Sequence, residues 1–284
     1  MAGVVELTRV PSGVLKTKAL RKLRDLPPFS PILNRLMATL AGDNVSFAKL
    51  GDLIEKDTLV AGNILHLVNS ALYARRGTVN SVRHALSLMG VDKVRNAVLG
   101  MSLARMWSKI AVPRSWSMGR FDTHSAAVAI LSDLLAQRLP VEYPEGAFVA
   151  GLLHDLGQLL IAAALPDEFE RIDNSDRIEC ERRILGFTHA ELSAEALAVW
   201  NLPEEIQIAV RDHHESQVEG IPLCRIVRAA DNYVNSTGTS IADQGHANDG
   251  SIITCLGLEA PELDDVLKEF RTEFDSMLNY FRPC

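Results

Sequence analysis

The sequence is poor in cysteine. Only Cys180, Cys224, Cys255 and Cys284 occur among 284 residues, and none stands in a CxxC spacing. That scatter disfavours a disulfide framework or a zinc ribbon and suits reduced thiols in the cytoplasm. A surplus of basic side chains is also missing: 29 Lys and Arg face 36 Asp and Glu, for a formal net charge of −7. Binding along a phosphate backbone needs such a surplus, so general nucleic-acid affinity is not expected. Arg75, Arg76 and Arg83 are the best candidates for a local basic patch, although an ordinary solvated rim accounts for them better. The N-terminal run MAGVVELTRVPSG has no basic segment followed by an apolar stretch of signal-peptide length, which again points to the cytoplasm. Apolar stretches such as 161–165 with its flanks are interrupted by His154, Asp155, Gln158 or Asp167. The interruptions come before the roughly 20 residues that a membrane span requires, so no crossing is expected.

Several chemical signatures are absent as well. No Gly-rich phosphate loop of P-loop or dinucleotide type occurs, there is no Gly-x-Ser-x-Gly, and no cysteine is placed as a nucleophile. Strand signals are weak: β-branched runs of period two are short and lack Asn-Gly or Asp-Gly turns. Hydrophobic residues at 47% and charged residues at 23% match ordinary globular usage, so the chain should fold.

What remains is helical periodicity. Phe47, Leu50, Leu53 and Ile54 recur at three and four spacing, with Ser46 as a plausible N-cap. Leu59, Ile64, Leu65, Val68 and Leu72 repeat the pattern, as do Val94, Val98, Met101 and Leu103. Pro27 and Pro28 break the chain before a helix containing Ile32, Leu33 and Leu36, and Pro113 follows the long helix that begins near Val91. These breaks predict an N-terminal helical lobe over residues 14–112 and a second helical lobe over 113–237. Residues 238–284 then carry an exposed loop, rich in Ser, Thr, Asn, Asp and Gly from 235 to 251, and a final helix near 259–281.

The first lobe resembles a known family. Leu26-Pro27-Pro28 opens it; Ile54, Asp57, Leu59, Ile64, Leu65, Asn69, Ser70 and Tyr73 follow; then come Ser81, Ala85, Leu88, Gly90 and Val94. These three ordered motifs look like the HDOD family, a relative of the metal-dependent HD hydrolases, with the likeness running over roughly residues 20–220. The family usually has Asp-Pro where this chain has Asp57-Thr58, a departure that touches only a helix start. The resemblance implies an all-α, multi-helix bundle of HD-domain type, attached to bacterial signalling proteins or acting as a free-standing regulator. Read from the residues alone, Asn69, Ser70 and Tyr73 are better explained as a polar cap and an anchoring ring between two helices than as ligand contacts.

Five of the eight histidines gather in the second lobe: His124, His154, His189, His213 and His214, with Asp155 beside His154 and Asp231 later. An H…HD…D order on separate helices is similar to the pattern by which the HD superfamily holds a metal. Imidazole nitrogens mixed with carboxylate oxygens suit Fe, Mn, Zn or Co. On one continuous helix His154 and Asp155 point about 100° apart, so a shared metal would have to lie off that helix's shoulder. Likeness to the two-metal HD-GYP branch implies that His124, His154, Asp155 and Asp231 hold one metal. By the same likeness His189 and His213 hold a second, with Asp155 as bridge and His214 close by. Two features depart from that branch. Its phosphate-contacting Lys is Gln158 here, which removes a charge useful to a phosphoryl transition state. Its GYP signature has no counterpart, which undermines cyclic dinucleotide recognition. Outside the pattern, His66 and His84 read as packing residues and His246 as loop surface.

The favoured function is a regulatory signalling module that binds a signalling protein or small ligand, with any metal structural or sensory. A metal-dependent phosphohydrolase acting on a nucleotide or cyclic nucleotide is the alternative, with Asp155 as the metal bridge. Two metals can activate water and stabilise both attacking and leaving oxygens. A mixed-valent diiron oxygenase is a third and weaker reading. A phosphohydrolase needs basic groups near the metals, for which the sequence offers Arg120, Arg211, Arg225 and Arg228; Arg211 reads better as a solvated helix-end charge.

Overall fold

Asp57 shows how local chemistry sets the helix starts. Its carboxylate accepts from the backbone N–H groups of Leu59 and Val60 at 3.2 Å each, two donors that the first helical turn would otherwise leave unmet. The computed structural model describes residues 11–40, 47–69, 78–216, 220, 222–241, 253 and 256–281, and no strand occurs among them. Ser46, Ser70, Leu72, Tyr73, Arg75, Arg76, His246 and most of the 235–251 loop lie outside the described residues.

The first helices are α1 (Ser12–Arg21), α2 (Pro31–Leu40), α3 (Phe47–Glu55), α4 (Thr58–Val68), α5 (Val82–Met89) and α6 (Val91–Trp107). Ser81 caps α5, accepting from His84 N–H at 3.2 Å, and Gly90 at φ 86° makes the turn into α6. That angle is open to glycine and strained for other residues. Asn69 closes α4 by joining it to the approach to α5: it donates to the Val79 carbonyl at 2.7 Å and accepts the Val79 N–H at 2.8 Å. The side chain is a polar splice between two helices, as its position after the apolar run suggests.

The second half comprises α7 (Met118–Ala136), α8 (Ala147–Leu153), α9 (Leu156–Ala164), α10 (Pro166–Phe169), α11 (Arg177–Ile184), α12 (His189–Val199), α13 (Glu204–Arg211), α14 (Leu223–Ser236) and α15 (Ala260–Phe281). Helix α7 is the central post and packs against α8, α14 and α15, while α12 packs against α9 and α13. One buried apolar cluster runs from Leu15 through Trp107 and Phe148 to Met277. By length and mean hydropathy (1.6), Pro144–Ala164 matches a membrane span despite its interrupting polar residues, but 94% of that window is buried within the fold. Its apolar faces are spent on neighbouring helices.

Three expectations are corrected. His66 and His84 are exposed and do not pack: α4 buries Val60, Ile64, Leu67 and Val68, and α5 buries Val82, Ala85, Leu86 and Met89, so each histidine falls on the opposite face. Leu59 belongs to the apolar periodicity yet is 57% exposed. Finally, His154 and Asp155 do not share a continuous helix, because the chain breaks between α8 and α9 at these two residues.

Candidate metal centre

The break at 154–155 is built by small side chains and one hydroxyl. Asp155 takes φ −100° and ψ 10°, outside helical geometry. Ser193 of α12 bridges the gap: its hydroxyl donates to the His154 carbonyl at 2.8 Å and accepts the Gly157 N–H at 2.7 Å. Gly157 lets α12 approach, since a Cβ there would sit 2.1 Å from the His189 carbonyl oxygen. The interrupted helix turns both site side chains the same way, and His154 Nε2 lies 3.3 Å from Asp155 Oδ2. No displaced shoulder position is needed.

Four imidazoles are held by the same device. His154 Nδ1 lies 2.8 Å from the Gly151 carbonyl, His213 Nδ1 2.6 Å from that of Val210, and His124 Nδ1 2.8 Å from that of Thr239. His189 Nδ1 faces the Glu181 carboxylate at 2.8 Å. A carbonyl or carboxylate at that distance calls for N–H on Nδ1 and leaves Nε2 free to offer a lone pair, which is how ligating histidines are oriented. His213 Nε2 is the sharpest case: it is fully buried and has no hydrogen-bond partner among the described residues. A buried, unmet nitrogen costs about 1–3 kcal/mol unless something coordinates it.

The free nitrogens converge on carboxylate oxygens. His124 Nε2 is 3.3 Å from His154 Nε2 and 3.2 Å from Asp231 Oδ1. Asp155 faces both sides of the cluster, with Oδ2 3.3 Å from His154 Nε2 and Oδ1 3.1 Å from His189 Nε2. His214 Nε2 approaches His189 Nε2 at 3.0 Å. The structure thus brings together all seven residues singled out by the sequence: His124, His154, Asp155, His189, His213, His214 and Asp231. Ligand atoms lie within 4.8 Å of one another in three sets: His124, His154 and Asp155; His189, His213 and His214; and His154, His213 and Asp231. Each set is able to hold a metal ion. All seven are buried except His214, which is partly exposed.

Electrostatics follow from placing anions and imidazoles together out of water. Burial by itself would lower the His154 pKa, but Asp155 and Asp231 outweigh it and raise it to about 10. His189 follows the same course, lowered by burial but lifted to about 9 by Glu181 and Asp155. Burial would raise Asp155 and Asp231, yet the adjacent imidazoles hold both well below the usual carboxylate range. His213 and His214 are pushed down, first by burial and then by neighbouring imidazoles, His214 to about 4. The cluster therefore draws in positive charge, and a divalent cation meets that demand with the donor types present.

The periodicity reading missed Glu181, which is fully buried and grips His189. Its only signal was an acid at the buried edge of IECERRIL, a segment whose charges otherwise suit a surface helix. Gln158, at the position of the missing Lys, is buried. Among the basic candidates, Arg211 pairs with Asp212 at 2.7 Å, Arg228 donates to the Glu215 carbonyl at 2.8 Å, and Arg225 donates to the Gly220 carbonyl. Arg83 is exposed and pairs with Asp52 and Glu55, the solvated rim favoured for it above.

Comparisons with known proteins agree with this architecture. An uncharacterized protein of Treponema pallidum (strain Nichols) is 23% identical over 204 residues, and the match covers 68% of this chain and 38% of that protein. The chain thus spans well under half the length of the curated relative it matches. A solved HDOD domain protein of unknown function from Geobacter sulfurreducens superposes with a TM-score of 0.73 at 24% identity, covering 94% of this chain and 99% of its own. A structure from Marinobacter aquaeolei VT8, named as a proposed signal transduction protein, gives 0.69 at 21%, covering 97% and 67%. One from Shewanella amazonensis SB2B, named as a proposed phosphohydrolase, gives 0.72 at 20%, covering 93% and 98%. At such identities these likenesses speak to the fold. The HDOD domain pattern itself matches residues 26–216, so the chain belongs to the HDOD domain family.

Proposed function

We propose that this chain is a regulatory signalling module built on a dinuclear metal centre. The observation that carries this reading is Asp155, whose two oxygens face different histidine sets across one buried cluster. His124, His154, Asp155 and Asp231 would hold one ion; His189, His213 and His214 would hold the other, with Asp155 between them. Neutral imidazoles with two carboxylates suit Fe, Mn or Zn. Bound ions would supply positive charge and Lewis acidity.

Regulation is favoured over turnover by what surrounds the cluster. Gln158 offers no charge, and Arg211, Arg225 and Arg228 are engaged with Asp212 or backbone carbonyls. A phosphoryl substrate, whose transition state needs fixed cations, would find these three already committed elsewhere. Buried thiols at Cys180 and Cys224 suit a reducing cytoplasm. One observation favours metal-dependent phosphohydrolysis as the second reading: His214 is partly exposed, which gives its set a side open to solvent.

Elemental analysis of protein purified without a chelating tag tests the proposal, with His154→Ala and Asp155→Ala in parallel. About two equivalents of Fe, Mn or Zn in the parent, lost in both variants, would uphold the centre. A folded, metal-free parent would sink it. Turnover of a phosphodiester such as bis(p-nitrophenyl) phosphate, abolished in both variants, would move the assignment to the second reading.

A further inference from the structure

On the other side of α7 from the histidine cluster lies a cavity of about 570 Å³, within the range of small-molecule sites. It opens between the Pro27–Pro28 segment, the start of α4 and the second half of α6. Asp122 forms part of its wall. Asp122 and His124 are two residues apart on one helix, so they point roughly 200° apart, one to the cavity and one to the cluster. No cluster residue lines the cavity.

Asp122 is the chemical oddity. It is only 5% exposed, yet among the described residues its single hydrogen bond comes from Trp107 Nε1 at 2.5 Å and none of their cations lies within ion-pair distance. Burial pushes its carboxyl up to about 7 against the opposing Trp107 bond, and in its ionised form it accepts only that one of about four possible hydrogen bonds. At the rim of the same cavity stand Arg105 and Lys109, both exposed and without a carboxylate partner among the described residues. Between these poles the walls mix apolar side chains, Phe29, Met101 and Leu59, the last 57% exposed, with the polar Ser30, Asn63 and Ser102. The motif residues Pro27, Pro28, Asp57 and Leu59, to which the histidine cluster gives no role, all line this space.

We propose that this cavity binds a small molecule with an N–H-donor head for Asp122 and an anionic tail for Arg105 and Lys109, a guanine nucleotide being the class that fits. Guanine presents adjacent N1–H and exocyclic N–H donors that match one carboxylate, whereas the equivalent edge of adenine pairs a donor with an acceptor. The flat base suits Phe29, Leu59 and Met101, and the phosphate suits the two cations. A free amino acid has the same charge pattern but would leave most of the volume unfilled.

Calorimetric titration of the whole chain with GMP, and separately with AMP, tests this. EDTA in the buffer keeps phosphate from attaching to ions in the histidine cluster. GMP should bind about tenfold or more tightly than AMP, because a site built around hydrogen-bond donors discriminates against the analogue lacking one. Asp122→Asn keeps the shape and can still accept from Trp107, and it should abolish the preference. Arg105→Gln with Lys109→Gln should weaken both nucleotides alike. Absence of GMP binding, equal affinity for GMP and AMP, or a preference that survives Asp122→Asn would overturn the proposal. If Asp122→Asn does not fold, the GMP to AMP ratio of the parent and the Arg105/Lys109 variant decide the matter.

Discussion

Glu181 grips His189 twice: its Oε2 accepts from the His189 backbone N–H at 2.7 Å and from ring Nδ1 at 2.8 Å. The first contact fixes the start of α12 and the second fixes the tautomer of its first side chain. Glu181→Gln should therefore keep the fold while lowering affinity for the ion held by the His189 set about 10- to 100-fold. Competition with a chromophoric chelator measures this, and an unchanged affinity would remove Glu181 from the site.

Protons and metal compete for the cluster. His154 and His189 rise from 6.5 to about 10 and about 9, so their protonation stabilises the metal-free fold fully below pH 6.5. That contribution drains away as pH climbs through 9 and 10. Asp155 and Asp231 are depressed below 3.8, so theirs is present above that value and lost on strong acidification. Metal-free protein should lose melting temperature steadily above about pH 7, whereas metal-loaded protein, with ions in place of those protons, should not. Identical alkaline slopes with EDTA and with added Zn would contradict the ion-for-proton exchange.

Gly157 leaves no room for a methyl group, because the atom it would strike belongs to the backbone of His189. Gly157→Ala should cost about 1–3 kcal/mol in urea unfolding, and more if α12 cannot move aside. A change below about 0.5 kcal/mol would mean that α9 and α12 are less tightly apposed than described.

Asn69→Ala removes both hydrogen bonds to Val79 and should destabilise the chain by about 1–2 kcal/mol without altering metal content. A loss of metal in that variant would show that the splice between α4 and α5 reaches the cluster.

Much of this was legible beforehand. Apolar residues at three and four spacing gave the helices, since each must bury one face, and the prolines gave several of the breaks. The seven-residue cluster came from family likeness, because residues as far apart as His124 and Asp231 meet only through tertiary packing. Glu181 escaped for the same reason: in a window with Arg177, Arg182 and Arg183 its burial depends on α12, not on its neighbours in sequence. His66 and His84 misled in the opposite direction, since a single histidine beside an apolar stripe does not reveal which side of the boundary it occupies. The end of α8 at Leu153 was legible where His154 and Asp155 interrupt the apolar run, but the hydroxyl that holds the break open was not, since Ser193 lies far along the chain.

The Pro144–Ala164 stretch also shapes how the chain is made. Its partners α12, α13 and α14 all emerge later from the ribosome, whereas α1, the turn at Lys22–Asp25, α6 and α7 are already available to it. During synthesis a segment as apolar as a membrane span is covered on its α7 side and waits with the faces meant for α12, α13 and α14 open. Nascent-chain recognition by chaperones, and diversion to a lipid surface when the later helices are truncated, are consequences of the order in which this core is assembled.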